Sequence, residues 1–359
     1  MTKKQCQTWT AFKAFMANRV LTKEQVEHQQ REEYKHLPGI LNYHTASPFI
    51  RRKIDASRAK EWKKYEVFQA AIPIKGQDLF DLLQRVMLVG CATGVRTDAP
   101  TSDLETHSIV AAFAVAEGVP PQSSDIRNAY FQALPIDRIV VTRQPSGGLP
   151  GVDPEAHLLI RVPVYGLCDS GHGFWKKVNH DALDVGLKAS RIFPAFYYRE
   201  SNGRADLVLT THVDDFLWAC TESGQVVLDK LLNRFEVGKR EIGRLRFCGK
   251  QFSLDGKDVL IDDTDNTAKT TYIDIAKSRK QSEQVTTGEE RQPRSVVGSL
   301  SWISRQARPD ILYRVFRLQS SIKGAKVSTL TDANKVLKMA LDTKDLKITY
   351  RHSGNLDFM

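Results

Sequence analysis

Asp214 and Asp215 stand side by side in the apolar stretch LVLTTHVDDFLWAC, residues 207–220. A run so rich in Val, Leu, Thr and Phe predicts strand. Two neighbouring carboxylates on a strand repel each other and lose hydration unless positive charge lies between them. A pair of divalent cations supplies that charge, and hard oxygen ligands suit Mg²⁺. Two such ions about 3.5–4 Å apart serve phosphoryl and nucleotidyl transfer, one at the nucleophile and one at the leaving oxygens. Acids are also ordinary turn residues, so the pair alone leaves a plain hairpin and a metal-binding one both open. A further carboxylate on a neighbouring strand favours the second. Asp125, in SSDIRNAYF (123–131), opens such a strand-like segment, which runs into Tyr130 and Phe131.

The elements that must position these acids follow from local patterning. Ser102 and Glu105 read as a capping box, Ile109, Val110 and Phe113 recur at helical spacing, and Gly118 closes the helix. Strands are predicted around Asp125 and at 138–143, followed by a Gly-rich loop to Gly151. A helix is predicted over 170–185, with Ser170 as N-cap and Gly186 as stop. Strands at 192–199 and 205–213 join at Asn202-Gly203, a strong hairpin signal. The chain turns at Asp214–Asp215 and returns through Phe216-Leu217-Trp218. A helix is predicted over 222–235, a hairpin at Asp255-Gly256, and helix from 270 onward until LKITY (346–350) returns to strand. Upstream, residues 1–36 read as amphipathic helix, and 51–68 as a basic helix with Trp62, Tyr65 and Phe68 on one side.

In this order the segments resemble a reverse transcriptase. DIRNAYF is similar to the first palm motif of that family, and HVDDF to its aromatic-x-Asp-Asp motif. VYGLCDSGHGFW (164–175) resembles the Leu-Tyr-Gly-Leu-Lys-Gln segment of copia-type retrotransposon polymerases, and RQPSGGLPG (143–151) their Pro-x-Gly loop. LLNRFEV followed by RLRFCGKQF (231–252) resembles a post-palm helix and primer-grip hairpin. VVGSLSWISRQARPDILYRV (296–315) resembles the Gly-Ser-Leu … Arg-Pro-Asp-Ile signature. The resemblance runs over roughly residues 58 to 352.

What the resemblance implies is an α+β right-hand polymerase of fingers, palm and thumb. An antiparallel palm sheet is backed by helices, and the thumb and connection are helical. The implied division is an N-terminal helical extension at 1–57, shortened fingers and first palm helix at 58–118, palm and primer-grip start at 119–255, and thumb and connection at 256–359. The end falls about where a ribonuclease H domain would begin. By the same resemblance Asp125, Asp214 and Asp215 are catalytic and ligate two Mg²⁺, for which Mn²⁺ substitutes. Arg85, Tyr130 and Gly166 meet the nucleotide, Tyr130 as steric gate against a 2′-hydroxyl. Phe247, Cys248 and Gly249 meet the primer end. The implied activity is RNA-directed DNA synthesis. Its partners are an RNA template, a DNA or tRNA primer and deoxynucleoside triphosphates, and the implied setting is cytoplasmic and particle-associated.

Several positions depart from the family pattern. His212 stands where Tyr or Phe is usual, keeping a flat ring. LQRVMLVGC (83–91) resembles a fingers strand, yet Met87 replaces the arginine expected on the triphosphate, and a thioether makes no charged hydrogen bond to phosphate. Cys168, Asp169 and His172 replace Lys, Gln and Arg. These losses support an alternative, a non-catalytic descendant that binds RNA or RNA–DNA duplex.

Charge distribution fits either reading. The 359-residue chain carries a net charge of +10, and the excess lies in its arms: residues 1–64 hold 14 Lys and Arg against 6 acids, and 269–351 hold 17 against 8. Residues 65–268 are net acidic, with 21 basic against 27 acidic. Basic flanks around an acidic middle suit a binder of phosphate backbones. Five scattered cysteines predict reduced thiols in an intracellular protein. Cys168 and His172, spaced i, i+4, lack the second pair a zinc site needs. No apolar run reaches the ~18 residues of a membrane span.

Overall fold

The computed structural model describes Tyr43 and residues 46–89, 96–286, 289 and 291–352, with the backbone alone at 83–89. The helix expected over 1–36 lies outside the described residues. Along the chain come α1 (Pro48–Val67), β1 (Ala71–Ile74), α2 (Gly76–Val89), α3 (Leu104–Glu117) and β2 (Gln122–Ile126). Next are β3 (Val140–Arg143), β4 (His157–Ile160), α4 (Ser170–Asp184), β5 (Lys188–Ala189), β6 (Phe196–Ser201), β7 (Arg204–His212) and β8 (Asp215–Cys220). Then follow α5 (Glu222–Leu232), β9 (Val237–Ile242), β10 (Arg244–Phe247), β11 (Lys250–Asp255), β12 (Asp258–Asp262) and α6 (Thr264–Lys269). Helices α7 (Arg291–Gln306), α8 (Leu312–Ser321) and α9 (Val327–Asp342) precede β13 (Ile348–Tyr350). The fold is mixed α/β with antiparallel sheets. Two compact units divide the chain: one takes residues up to Pro100 with Asn128–His180, the other Thr101–Arg127 with Asp181 onward.

In the first unit β1, β4 and β3 form an antiparallel sheet with β4 central. Ser47 caps α1 through Ile50 N–H, and Pro48 fills the first turn where no donor is needed. The aromatic side predicted for this helix is its packing face. Trp62 is buried with Phe131, Leu158 and Ile160, and Tyr65 meets Phe131 edge-on at 4.8 Å. Segment 83–91 is not a strand where it is described, because α2 runs through to Val89. The reason is in the sequence: Leu79, Leu83 and Val86 recur at helical spacing, and a strand reading begun at Leu83 cuts that pattern in half.

In the second unit six antiparallel strands run in the order β5-β6-β7-β8-β2-β9, and a second sheet runs β10-β11-β12-β13. Helix α3 lies against β7, β8 and β12. Its Val110, Phe113 and Val115 share one core with Leu217 and Ala219 of the first sheet and Phe252 and Ile261 of the second. Burying a side chain such as Phe113 stabilises by about 1.5–3 kcal/mol. Gly118 ends the helix at φ +64, the left-handed C-terminal position glycine accepts without strain. The capping box does not form. Asp103 is the N-cap with no side-chain cap bond, and the Ser102 hydroxyl is taken by tertiary partners described below.

The last part of this unit is a helical cluster. Leu300 and Ile303 of α7, Val315 of α8 and Leu337 of α9 form its core. Arg308 is 2% exposed. Its guanidinium donates to both Asp310 oxygens at 2.9 and 2.8 Å, to Ala340 O at 3.1 Å and to Thr343 Oγ1 at 2.6 Å. The Arg-Pro-Asp signature is thus an internal brace that ties the start of α8 to the end of α9. Residues 270–286 are not helical as expected. Asn334 captures the backbone there, accepting from Ile273 N–H and donating to Ile273 O, both at 2.8 Å, so those groups are satisfied without a helix.

Candidate active site and nucleic-acid groove

The acids converge through strand register. His212 pairs with Asp215 across β7 and β8, and Asp215 pairs with Asp125 across β8 and β2. Residues directly opposite share a face with Cβ atoms about 4.5–5.5 Å apart, so His212, Asp215 and Asp125 form a row across three strands. Val213 and Asp214 make the two-residue turn. Val213 has φ +56, at the first central position where such turns favour glycine. A β-branched residue there is strained. Ile126 N–H donates to Asp214 O at 2.7 Å, which ties the turn to the Asp125 strand.

Asp125 sits at an irregularity in the β2–β9 pairing between Ser124 and Ile126. A bulge there re-aims its side chain. The carboxylate accepts from Lys239 N–H at 3.1 Å. It also occupies the space above Gly238, where an added Cβ would fall 2.2 Å from Asp125 Oδ1. Neither Gly238 nor Lys239 was recognisable from sequence, since their task is set by a side chain more than a hundred residues earlier. Asp215 is pushed up to about 6, first by lost hydration and then by Asp214 and Asp125. Asp214 is raised by lost hydration and Asp125. Among the described residues no three His, Cys, Asp or Glu side chains are already gathered around one point as a cage for an ion.

A cavity of about 210 Å³ next to the acids is lined by Asp125, Asp215, Lys239, Glu241 and Arg246. Arg246 also lines a larger groove of about 690 Å³, with Gly249, Asn266, Lys269, Ser299 and Trp302. Two cations, serine and threonine hydroxyls and the exposed face of Trp302 can serve phosphate, sugar and base. Trp302 lies within the recognised Gly-Ser-Leu segment, whose sequence gave it no role. Gly249 lines this groove at the Cys248–Gly249 turn, with φ +47 and +84. The Trp302 ring lies 3.0 Å from where a Gly249 Cβ would be. Gly249→Ala should therefore cost at least about 1–2 kcal/mol from its backbone alone and lower Tm, with Gly256→Ala as the uncrowded control at a similar φ of +61. Equal Tm losses would mean the ring contact is unimportant.

Of the other expected site residues, Phe247 is buried with its ring edge-on to His107 at 5.0 Å and lines the cavity beside the acids, and Gly249 lines the larger groove. Tyr130 and Gly166 belong to the first unit. Tyr130 is half-buried with its ring 4.8 Å from Tyr165, and Gly166 has φ +101. The Arg85 and Met87 side chains lie outside the described residues. Cys168 is an exposed thiol, and His172 pairs through Nδ1 with Asp98 O at 2.7 Å. Asp169 forms a two-pronged ion pair with Arg138, with bonds of 2.7 to 3.1 Å. Cys220 and Cys248 are free thiols too. No helix among the described residues is long and apolar enough to cross a membrane.

No protein-family profile matches the chain, and no curated protein does. Among solved structures it is similar to the foamy viral protease-reverse transcriptase in complex with RNA/DNA hybrid. Identity is 14%, the TM-score 0.38, and the match covers 76% of this chain and 33% of that one. It is also similar to the foamy viral protease-reverse transcriptase dRH in complex with double-stranded DNA, at 12% identity and TM-score 0.42, covering 83% and 48%. The chain thus spans less than half the length of these neighbours.

Proposed function

We propose that the chain is an RNA-directed DNA polymerase of the copia retrotransposon type, joining deoxynucleotides to a primer 3′-hydroxyl on an RNA template. The observation that carries this is the row of carboxylates: Asp125 opposite Asp215, with Asp214 tied to the same strand through Ile126 N–H. The three carboxylates are a hard oxygen donor set, which suits Mg²⁺ or Mn²⁺, and the upward push on Asp214 and Asp215 is what a cation relieves. A bound metal pair would supply Lewis acidity toward phosphoryl oxygens and ease deprotonation of the attacking hydroxyl. The chain's own contribution is to aim the ligands. Gly238 and Lys239 N–H seat Asp125, and the Ile126–Asp214 bond fixes the turn. In this reading Arg246, Lys269 and Trp302 hold primer–template duplex in the groove beside them. Palm, fingers and thumb take the boundaries the sequence implies.

Primer extension with dTTP on poly(rA)–oligo(dT) and Mg²⁺ tests the reading directly. Extension is expected, and binding without extension would favour the non-catalytic descendant. That second reading gains from helix α2, which occupies the segment expected as a nucleotide-facing strand.

Two further results are expected. Asp215 takes a cation only when ionised, and its pKa near 6 lies above the ordinary carboxylate value. At limiting Mg²⁺ the rate should therefore fall as pH drops through about 6, with protons and metal competing; a flat profile from about pH 5 to 8 contradicts this. Tyr130→Val should raise the kcat/KM ratio of ribo- to deoxyribonucleotide on the order of tenfold. An unmoved ratio would leave Tyr130 a packing residue.

A further inference from the structure

The Ser102 hydroxyl meets three polar atoms: His107 Nε2 at 3.0 Å, His212 Nδ1 at 3.3 Å and Cys248 Sγ at 3.7 Å. A hydroxyl has one proton to give and two lone pairs to offer, so the direction of each bond can be worked out. His107 decides it. The ring is 2% exposed, and its Nδ1 is buried without a hydrogen-bond partner. A proton on Nδ1 would leave a buried N–H donor orphaned, which folded proteins avoid more strictly than an under-satisfied acceptor. The His107 proton therefore sits on Nε2 and is donated to Ser102 Oγ. Burial, with Lys250 and His212 nearby, pushes His107 down to about 3, which keeps the ring neutral. The Cys248 thiol is kept protonated by burial, which pushes it up to about 11; its sulfur is a much weaker acceptor than an imidazole nitrogen, so the thiol donates to the second lone pair. The Ser102 proton is left for His212 Nδ1, and the His212 proton for Nε2.

We propose that Ser102 and His107 are positioning residues that lock His212 as its Nε2–H tautomer, presenting a hydrogen-bond donor to nucleic acid beside the Asp214–Asp215 turn. His212 stands opposite Asp215 in the row of site residues. Acceptors at purine N3 and pyrimidine O2 line the minor groove of every base pair, so a neutral N–H there grips duplex of any sequence. The identity of the ligand rests on the polymerase reading; the tautomer does not.

Two-bond ¹H–¹⁵N correlation of the full chain labelled with ¹⁵N-histidine tests the lock, the His212 signals being assigned by their loss in His212→Phe. The wild type should show Nε2 protonated and Nδ1 bare at His212. Ser102→Ala should mix the tautomers, and Ser102→Thr, which keeps the hydroxyl, should restore the lock. Fluorescence anisotropy with an oligo(dT)–poly(rA) hybrid in EDTA tests the ligand. His212→Phe and Ser102→Ala should each weaken binding about fivefold, the worth of one hydrogen bond, while Ser102→Thr should not. A wild-type His212 protonated on Nδ1 overturns the proposal whatever Ser102→Ala does. A tautomer indifferent to Ser102→Ala, or hybrid affinity unchanged in both variants, overturns it as well. Weakened binding in a chain that never extends a primer supports the lock and instead removes the polymerase reading.

Discussion

Asp215→Asn should slow primer extension by about a thousandfold or more, roughly 4 kcal/mol of lost transition-state stabilisation. Affinity for the primer–template should stay within about twofold, because Arg246, Lys269 and Trp302 of the groove are untouched. The same change should raise Tm in EDTA. In the metal-free fold Asp215 has a pKa raised to about 6 by lost hydration, Asp214 and Asp125. Its ionisation therefore opposes folding progressively as pH climbs from the unfolded value toward that point, and stays unfavourable above it. Asparagine removes the penalty, so activity and stability should move in opposite directions. Extension near the wild-type rate would break the link between these acids and a cation, and a lower Tm would show that the Asp215 charge does not oppose folding.

Gly238→Ala should cost about a hundredfold in extension, or ~2.7 kcal/mol, without removing any polar atom. The new methyl would lie 2.2 Å from Asp125 Oδ1, so the carboxylate must swing away and give up the Lys239 N–H. Gly238 has no left-handed φ, so alanine strains no backbone and the fold should persist. Circular dichroism and hybrid binding separate displacement from unfolding. A folded Gly238→Ala protein that extends normally would show that the seat of Asp125 does not matter.

The difference between these two residues shows what the sequence could say. Asp125, Asp214 and Asp215 announce themselves locally, as acids in apolar strands, and the Asn202-Gly203 turn, with φ +53 and +77, closes its hairpin as its residue types demand. Gly238 carries no such signal, since the need for a missing side chain arises across β2 and β9. Ser102 looked like a cap because its local spacing to Glu105 is right, but two histidines, one of them 110 residues away, compete for the hydroxyl. Residues 270–286 looked helical until Asn334, 61 residues on, took the backbone of Ile273. Arg308 stood in a recognised signature whose function is internal packing, which burial alone reveals. Local chemistry was legible; partners distant in sequence were not.

Mn²⁺ binding followed by electron paramagnetic resonance, in the presence of oligo(dT)–poly(rA) and a non-hydrolysable thymidine triphosphate analogue, tests the central claim most directly. The wild type should take up Mn²⁺ beyond what nucleic acid and nucleotide bind on their own, with Mg²⁺ competing. Asp125→Asn and Asp215→Asn should each abolish that uptake while the hybrid stays bound. Equal uptake by the wild type and both variants would contradict the account.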